Sequence, residues 1–270
     1  MKNPDMKLVV SASRRSDLVA CYPERLTEEL VRIGPENIHT LVIWTKNPAS
    51  LLANRSLSEL LNKLDQIYLN LTVTGLGGSF LEPKVPTPGE VFQWMPDIIK
   101  LIGSPKRVSL RYDPLIEVAD RQGNHFSNIT HEIFMPILRE SARLGIPIIR
   151  TSYATAYRKV LTRFKRLGLK FIEHPLEEVI YFIREIMMVE ASRLGIEVRT
   201  CVVPHLTESG GCVDGNLLRE LHPYKEHCSI ARDQSQREWC HCTKSQDIGN
   251  WDSCANGCLY CYGNPKIYTV

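Results

Sequence analysis

Short runs of aliphatic and β-branched residues alternate along the chain with longer segments whose apolar positions recur at helical spacing. Residues 7–13, 38–44, 67–73, 107–112, 146–152 and 196–203 read as strands. Leu8-Val9-Val10 and Leu41-Val42-Ile43 are apolar on both faces, as buried parallel strands are. Between the strands, residues 23–33 read as a helix with Pro23 in its first turn. Ser56 followed by Glu59 forms a capping-box pattern opening a helix through Leu64, and Thr87-Pro88-Gly89-Glu90 repeats it. Pro96 should kink that second helix or mark its true start. Residues 130–144 read as a further helix. Pro175 opens a long one in which Val179, Ile183, Ile186, Met187, Glu190 and Leu194 recur at helical spacing.

Six βα units imply parallel strands, in a doubly wound sheet or a barrel. No Gly-x-Gly-x-x-Gly pattern follows the first strand, which counts against a dinucleotide-binding fold. The expected fold is α/β: a partial (βα)6 TIM-like barrel over residues 1–206, with a Cys-rich segment, 207–270, folding over its mouth. Active sites of parallel barrels gather at strand C-terminal ends. The polar residues just past the strands are Ser11, Arg14, Arg15 and Asp17; Thr45, Lys46 and Asn47; Thr72 and Thr74; Arg111 and Asp113; Thr151 and Ser152; Cys201 and His205. Charges grouped on one rim point to a bound anion or zwitterion.

Composition narrows the function. Lys and Arg number 33 against 30 Asp and Glu, a net charge of +3 that gives no general case for nucleic acid. The first residues lack the apolar core of a secretory signal, and no apolar run is long enough to span a bilayer. A cytoplasmic protein without a membrane partner is expected. Thiols there stay reduced, so nine cysteines favour metal over disulfides.

Cys254, Cys258 and Cys261 place three thiols in eight positions, with Cys240 and Cys242 just upstream. A structural zinc or a closed cubane cluster wants four ligands. Three thiolates leave one iron open, and an open iron is a reactive position. Cys201, Cys212, Cys240 and Cys242 form a second set, suited to an auxiliary [4Fe-4S] cluster ahead of zinc or no metal at all; His205 and His241 are candidate substitutes that read more readily as core or surface histidines. Cys21 and Cys228 read as packing residues.

Cys254-x3-Cys258-x-Tyr260-Cys261 resembles the signature of the radical S-adenosylmethionine (SAM) superfamily. The resemblance implies a [4Fe-4S] cluster whose open iron chelates SAM, with Tyr260 against the adenine. It also implies reductive cleavage of a carbon–sulfur bond to give a 5′-deoxyadenosyl radical or a 3-amino-3-carboxypropyl radical. In most of that superfamily the motif follows the first strand, whereas here it follows the last. A closer resemblance covers nearly the whole chain. Ser11-x-Ser-Arg-Arg-x-Asp17, Trp44-Thr-Lys-Asn-Pro48, Arg111-Tyr-Asp-Pro114, Cys201, Cys212-x-Asp214, Asp233-Gln-x-Gln-Arg237, Cys240-x-Cys242, Ser245-x-Asp-Ile-Gly249 and Gly257-Cys-x-Tyr-Cys-Tyr262 are similar to the domain-of-unknown-function 1848 family. Ser16, residues 19–21 and Gly263 depart from its pattern.

The expected roles follow. Cys254, Cys258 and Cys261 bind the cluster; Tyr260, Ser11, Asn47, Thr74 and Asn264 line the cofactor; Arg14, Asp17, Lys46, Arg111 and Asp113 serve SAM or substrate. Tyr112 and Tyr153 are candidate hydrogen donors to a product radical. A low-potential electron donor such as flavodoxin or ferredoxin is the implied partner, and the substrate, whether small molecule, peptide or damaged nucleic acid, stays open. The competing function is a zinc- or iron–sulfur-stabilised nucleic-acid-binding or repair protein without SAM chemistry. It draws on the basic and aromatic residues of the tail, among them Arg232, Arg237, Trp239, Lys244, Trp251 and Tyr262.

Overall fold

A computed structural model describes residues 6–203, 205–206 and 211–268. β1 (Leu8–Ala12) leads through α1 (Leu18–Cys21) and α2 (Pro23–Ile33) to β2 (Ile38–Thr45). Next come α3 (Ser50–Ala53), α4 (Arg55–Leu61), β3 (Ile67–Thr72), α5 (Pro88–Ile102) and β4 (Val108–Arg111). The short strands β5 (Glu117–Ala119) and β6 (His125–Ser127) precede α6 (His131–Arg143), β7 (Ile148–Thr151), α7 (Arg158–Leu167) and β8 (Lys170–Ile172). α8 (Leu176–Tyr181) continues through a π-helical segment, Phe182–Met188, into α9 (Val189–Arg193). β9 (Glu197–Thr200), α10 (Gly215–Leu221), β10 (Gln246–Asp247), β11 (Ser253–Cys254) and β12 (Asn264–Pro265) complete the order.

Seven strands form one parallel sheet in the order β10-β1-β2-β3-β4-β7-β9. Six are the predicted strands, and the sheet is that of a partial, open barrel. The seventh, β10, comes from the Cys-rich segment. Gln246 pairs with Val10 and Asp247 with Ser11, which puts β10 on the outer edge beside β1. The expected division at residue 206 abuts positions 207–210, which lie outside the described residues. β5, β6 and β8 form a separate antiparallel sheet, order β6-β5-β8, that the sequence pattern did not disclose.

Every residue of β2 and β3 is buried, because helices cover one side of the sheet and residues 212–242 cover part of the other. Val10, Leu41, Ile43, Leu69 and Leu110 face the helices, while Val9, Val42, Trp44 and Tyr68 pack against Cys212, Val213, Leu218, Cys240 and Cys242.

Local details refine the predicted helices. Asn54, not Ser56, caps α4, its side chain accepting from Leu57 N. The expected box at Thr87 and Glu90 is present, and Pro96 lies inside α5 without starting it. In the long helix Val179, Ile183, Met187 and Ala191 form a buried stripe spaced by fours, with Phe182 buried beside it. An α-helix drifts about 40° every four residues; the wider π-helical turns compensate and keep that stripe on the core. Leu194 is exposed. Among the described residues no helix is long and apolar enough to cross a membrane.

Candidate active site

The C-terminal ends of β1, β2, β3, β4 and β7 surround a cavity of about 260 Å³ whose remaining wall is the loop carrying Cys254, Cys258 and Cys261. Arg14, Asp17, Lys46, Arg111, Asp113 and Tyr260, six of the predicted residues, also line it, and so does Cys201. Four do not. Ser11 Oγ is buried behind the rim, accepting from Trp44 Nε1 at 3.0 Å. Asn47 Oδ1 accepts from Ala49 N at 3.2 Å and so closes its own turn. Thr74 Oγ1 donates to Glu82 at 2.8 Å, and Asn264 donates to Trp251 O at 2.7 Å. Of the two candidate hydrogen donors, Tyr153 lines the cavity, whereas Tyr112 is fully buried and donates to Asn128 O at 2.6 Å.

The thiol loop is anchored from several directions. Asp17 caps α1 through Ala20 N at 3.0 Å, and its other oxygen accepts from Thr45 Oγ1, Lys46 N and Asn256 Nδ2 at 2.9–3.0 Å. Burial raises the Asp17 pKa, opposed by those four donors. Its oxygens are therefore committed to joining the β1 and β2 ends to the thiol loop. On the far side, Leu259 N donates to Leu81 O at 2.9 Å, and Arg163 Nη1 donates to Leu259 O at 2.6 Å and Cys261 O at 2.8 Å. Asp247, from β10, accepts from Ser13 Oγ at 2.8 Å, Gly249 N at 3.0 Å and Arg14 N at 3.2 Å, fixing the turn after β1. A Cβ on Gly249 would meet Ser13 Oγ at 2.0 Å, so that approach requires glycine.

Lys46 donates to Glu82 Oε1 at 2.8 Å and to Tyr260 Oη at 3.0 Å, and Tyr260 also bonds Glu82. Desolvation lowers the Lys46 pKa, yet Glu82 beside it carries the ammonium above the ordinary lysine value. Glu82 is fully buried and its Oε2 has no partner. The sequence reading missed it. Its one mark in the sequence is to be the sole acidic residue between Asp65 and Glu90; that the largely buried Lys46 pairs with it shows only in the fold. Arg14 and Arg111 both lie over the Trp44 ring, at 5.2 and 5.1 Å from its centroid. Arg111 is paired with Asp113, whereas Arg14 Nη2 is a buried donor without a partner.

Burial pushes the Cys258 thiol well above its ordinary pKa. Cys254 is drawn down to about 7 by a hydrogen bond from Cys21, whose Sγ lies 3.9 Å away. Cys21 is thus not the incidental packing residue expected. Three uncrosslinked thiols on one cavity wall, with cations opposite, form a donor set that fits an iron–sulfur cluster with room beside it.

The second thiol set also comes together. Cys212, Cys240 and Cys242 are buried in one cluster with Cys201 packed against it, near enough for each to shift its neighbours' pKa values. A Cβ on Gly211 would meet the Cys242 backbone at 2.4 Å, so a close chain approach holds two of them together. The buried Arg150 lies beside Cys212 and Cys242: burial works against its charge, and those thiols outweigh it. The four thiols are gathered in one region, but among the described residues no three of their sulfurs lie within 4.8 Å of one another.

A family model described as "Domain of unknown function (DUF1848)" matches residues 9–263. The chain belongs to the DUF1848 family. None of the curated proteins compared matches it. The DUF1848 chain has distant likeness to solved structures of SuiB from Streptococcus suis. One, the SuiB crystal structure, is 12% identical, with a TM-score of 0.39 over 75% of this chain and 52% of that one. SuiB bound to S-adenosylmethionine gives 11% identity and 0.40 over 73% and 51%. SuiB bound to the precursor peptide SuiA gives 11% and 0.38 over 73% and 49%. The DUF1848 chain spans about half the length of those chains.

Away from the cavity, the DUF1848 chain places ligand atoms of Asp65, His222 and Glu226 within 4.8 Å of one another. Lys7 already bridges both carboxylates, at 2.8 Å from Asp65 and 3.1 Å from Glu226. His222 Nδ1 accepts from Tyr224 N at 3.3 Å, which puts the neutral ring's proton on Nε2, the atom facing Glu226. The group reads as an ion-pair network, with its cation supplied by lysine.

Proposed function

We propose that this protein is a radical SAM enzyme whose [4Fe-4S] cluster is held by Cys254, Cys258 and Cys261. The observation that carries the reading is the place of β10. It pairs parallel with β1 at the edge of the sheet, and the thiol loop follows it directly. In space, the strand preceding the loop is therefore the first of the sheet, although it comes late in the chain. The order is permuted and the arrangement that the radical SAM signature needs is kept. A cluster bound there supplies one low-potential electron for cleaving a carbon–sulfur bond of SAM.

The chain's own residues hold and orient. Tyr260, fixed by Lys46 and Glu82, presents its ring for the adenine. The unpartnered Arg14 guanidinium, propped on Trp44 with Arg111, receives a carboxylate, of SAM or of substrate. Asp17 positions the thiol loop and binds no ligand of its own. Asp113 holds Arg111. Cys201, Cys212, Cys240 and Cys242 hold a second, closed metal site, an auxiliary [4Fe-4S] cluster or zinc, so that residues 207–270 supply every proposed metal ligand but Cys201.

Anaerobic reconstitution followed by dithionite and SAM is expected to yield 5′-deoxyadenosine. Methylthioadenosine instead would assign cleavage to the other carbon–sulfur bond. Neither product, from protein with its iron sites filled, would sink the proposal.

A second reading is favoured by one distance. Two thiolates on a tetrahedral zinc stand about 3.8 Å apart, from Zn–S bonds near 2.3 Å, and Cys21 and Cys254 are 3.9 Å apart. Cys21 and Cys254 would then be two ligands of a zinc in a nucleic-acid-binding protein without SAM chemistry, with the other sulfurs having to close in, since among the described residues no third lies within 4.8 Å of both. Cys21→Ser separates the readings: the radical SAM enzyme keeps its iron and its activity, and the zinc protein loses metal.

A further inference from the structure

From Ala154 to Phe171 the chain carries six basic residues and no acidic one, against near parity over the whole sequence. They are Arg158, Lys159, Arg163, Lys165, Arg166 and Lys170. α7 buries Val160 and Phe164, which turns most of this charge outward: all but Arg163 are exposed. Arg32, Arg55, Arg143 and Arg193, on other helices, each pair with a glutamate three or four residues away. None of the six makes an ion pair among the described residues. A basic helix with no internal counter-charge is a complement for an acidic surface.

Its position gives that charge a direction. Arg163 grips the carbonyls of Leu259 and Cys261, the latter belonging to a proposed cluster ligand. A shallow hollow between α7 and Ile267, lined by Tyr157, Arg158, Arg163 and Arg166, lies on this outer side of the thiol loop. Tyr157 also lines the cavity, so the two adjoin at this loop. A carrier seated on the outward charges of α7 would leave the cavity itself free for substrate.

We infer that α7 and the hollow beside it form the docking face for an acidic one-electron carrier protein of the flavodoxin type. The inference rests on the radical SAM reading and adds where the electron enters. The transfer balances as one electron: the reduced carrier is oxidised by one, the cluster is reduced by one, and no bond forms or breaks in that step. Steering by charge raises the encounter rate and makes it salt-dependent.

The test uses the full chain and the triple variant Arg158→Glu, Lys165→Glu, Arg166→Glu, none of which lines the cavity. Circular dichroism and melting establish that the variant is folded. Titration of purified flavodoxin against each protein reads binding directly, with or without iron. Expected are salt-sensitive binding by the wild type and at least roughly tenfold weaker binding by the variant. Flavodoxin-driven SAM cleavage should fall in parallel, while dithionite-driven cleavage stays unchanged. Equal flavodoxin binding by the two proteins overturns the inference. So does a wild type that binds a single-stranded oligonucleotide through these residues and ignores flavodoxin. A wild type that binds flavodoxin as expected but cleaves no SAM with dithionite keeps the docking face and removes the proposed reaction.

Discussion

The two groups of thiols in this molecule differ in their neighbours more than in their ligands. Cys254, Cys258 and Cys261 share a cavity with Arg14, Lys46, Arg111 and Tyr260. Cys212, Cys240 and Cys242 are packed among Val9, Val42, Tyr68, Val213 and Leu218, and only Cys201 of the second set reaches the cavity. The first group is held by side chains reaching in from other elements, Asp17 through Asn256 and Arg163 through the Cys261 carbonyl. The second is held in the same manner, with Asn70 Nδ2 donating to Cys212 O at 3.2 Å, Arg232 Nε to Cys240 O at 2.9 Å and Asp233 N to Cys242 O at 2.8 Å, so the anchoring is alike and the lining differs. A metal beside open, polar space can bind and change another molecule. One enclosed by apolar side chains can only fix the chain around it. The same sulfur ligand serves both purposes, and the surroundings decide which.

That contrast is broken most severely at Cys258. Cys258→Ala should cut SAM cleavage by more than the roughly 100-fold that follows loss of an outer-shell group, and remove about four iron atoms per chain. Product assay and iron analysis read both, and the melting point should barely move. Cys212→Ala should do the reverse. It should cost about 5 kcal/mol or more of stability in urea unfolding, the metal being part of the fold, while folded protein retains cleavage. Equal effects of the two substitutions on activity and stability would erase the distinction.

Smaller changes sharpen it. Glu82→Gln leaves Lys46, a largely buried cation, without its anion, a loss of up to about 3–5 kcal/mol, and should raise the KM for SAM by loosening Tyr260. Asp17→Asn removes a charged acceptor from the loop's anchor, for about 1–3 kcal/mol.

The smallest effect lies just behind the cavity wall, where His174 N donates to Tyr153 Oη at 2.7 Å. Burial raises the Glu117 pKa, but the imidazoles of His125 and His174 carry it below the ordinary 4.5. Burial lowers His174, but Glu178 and Glu117 carry it above the ordinary 6.5. Glu117 therefore stabilises fully above 4.5 and loses this as pH falls through its depressed value. His174 stabilises fully below 6.5 and loses this as pH rises through its raised value. Both contributions are complete between 4.5 and 6.5. Unfolding at about pH 6 and about pH 8.5 should differ by up to ~1 kcal/mol from this cluster, and His174→Gln should abolish that component.

Much of this was legible in the sequence. Buried parallel strands announce themselves as apolar runs, and the rim charges after them followed from strand ends alone. Three parts were not. β10 is two polar residues whose strand conformation comes from pairing with Val10 and Ser11, so no local pattern marks it. α7 has only Val160 and Phe164 buried among basic residues, too few for a visible stripe. Glu82 lies in a proline-rich loop without periodicity, and its role exists only because Lys46 and Tyr260 converge on it. The four displaced cofactor candidates share one cause. Ser11, Asn47, Thr74 and Asn264 are short polar side chains that found partners within their own turns or neighbouring strands, and strand-end position does not predict which way such a side chain turns.

The central claim is that Cys254, Cys258 and Cys261 leave one iron open to SAM. Electron paramagnetic resonance of the dithionite-reduced Cys212→Ala variant, which lacks the second site, tests it with a single cluster in view. The account predicts that adding SAM changes the g-values of the cluster signal. A spectrum left unchanged by saturating SAM would contradict it.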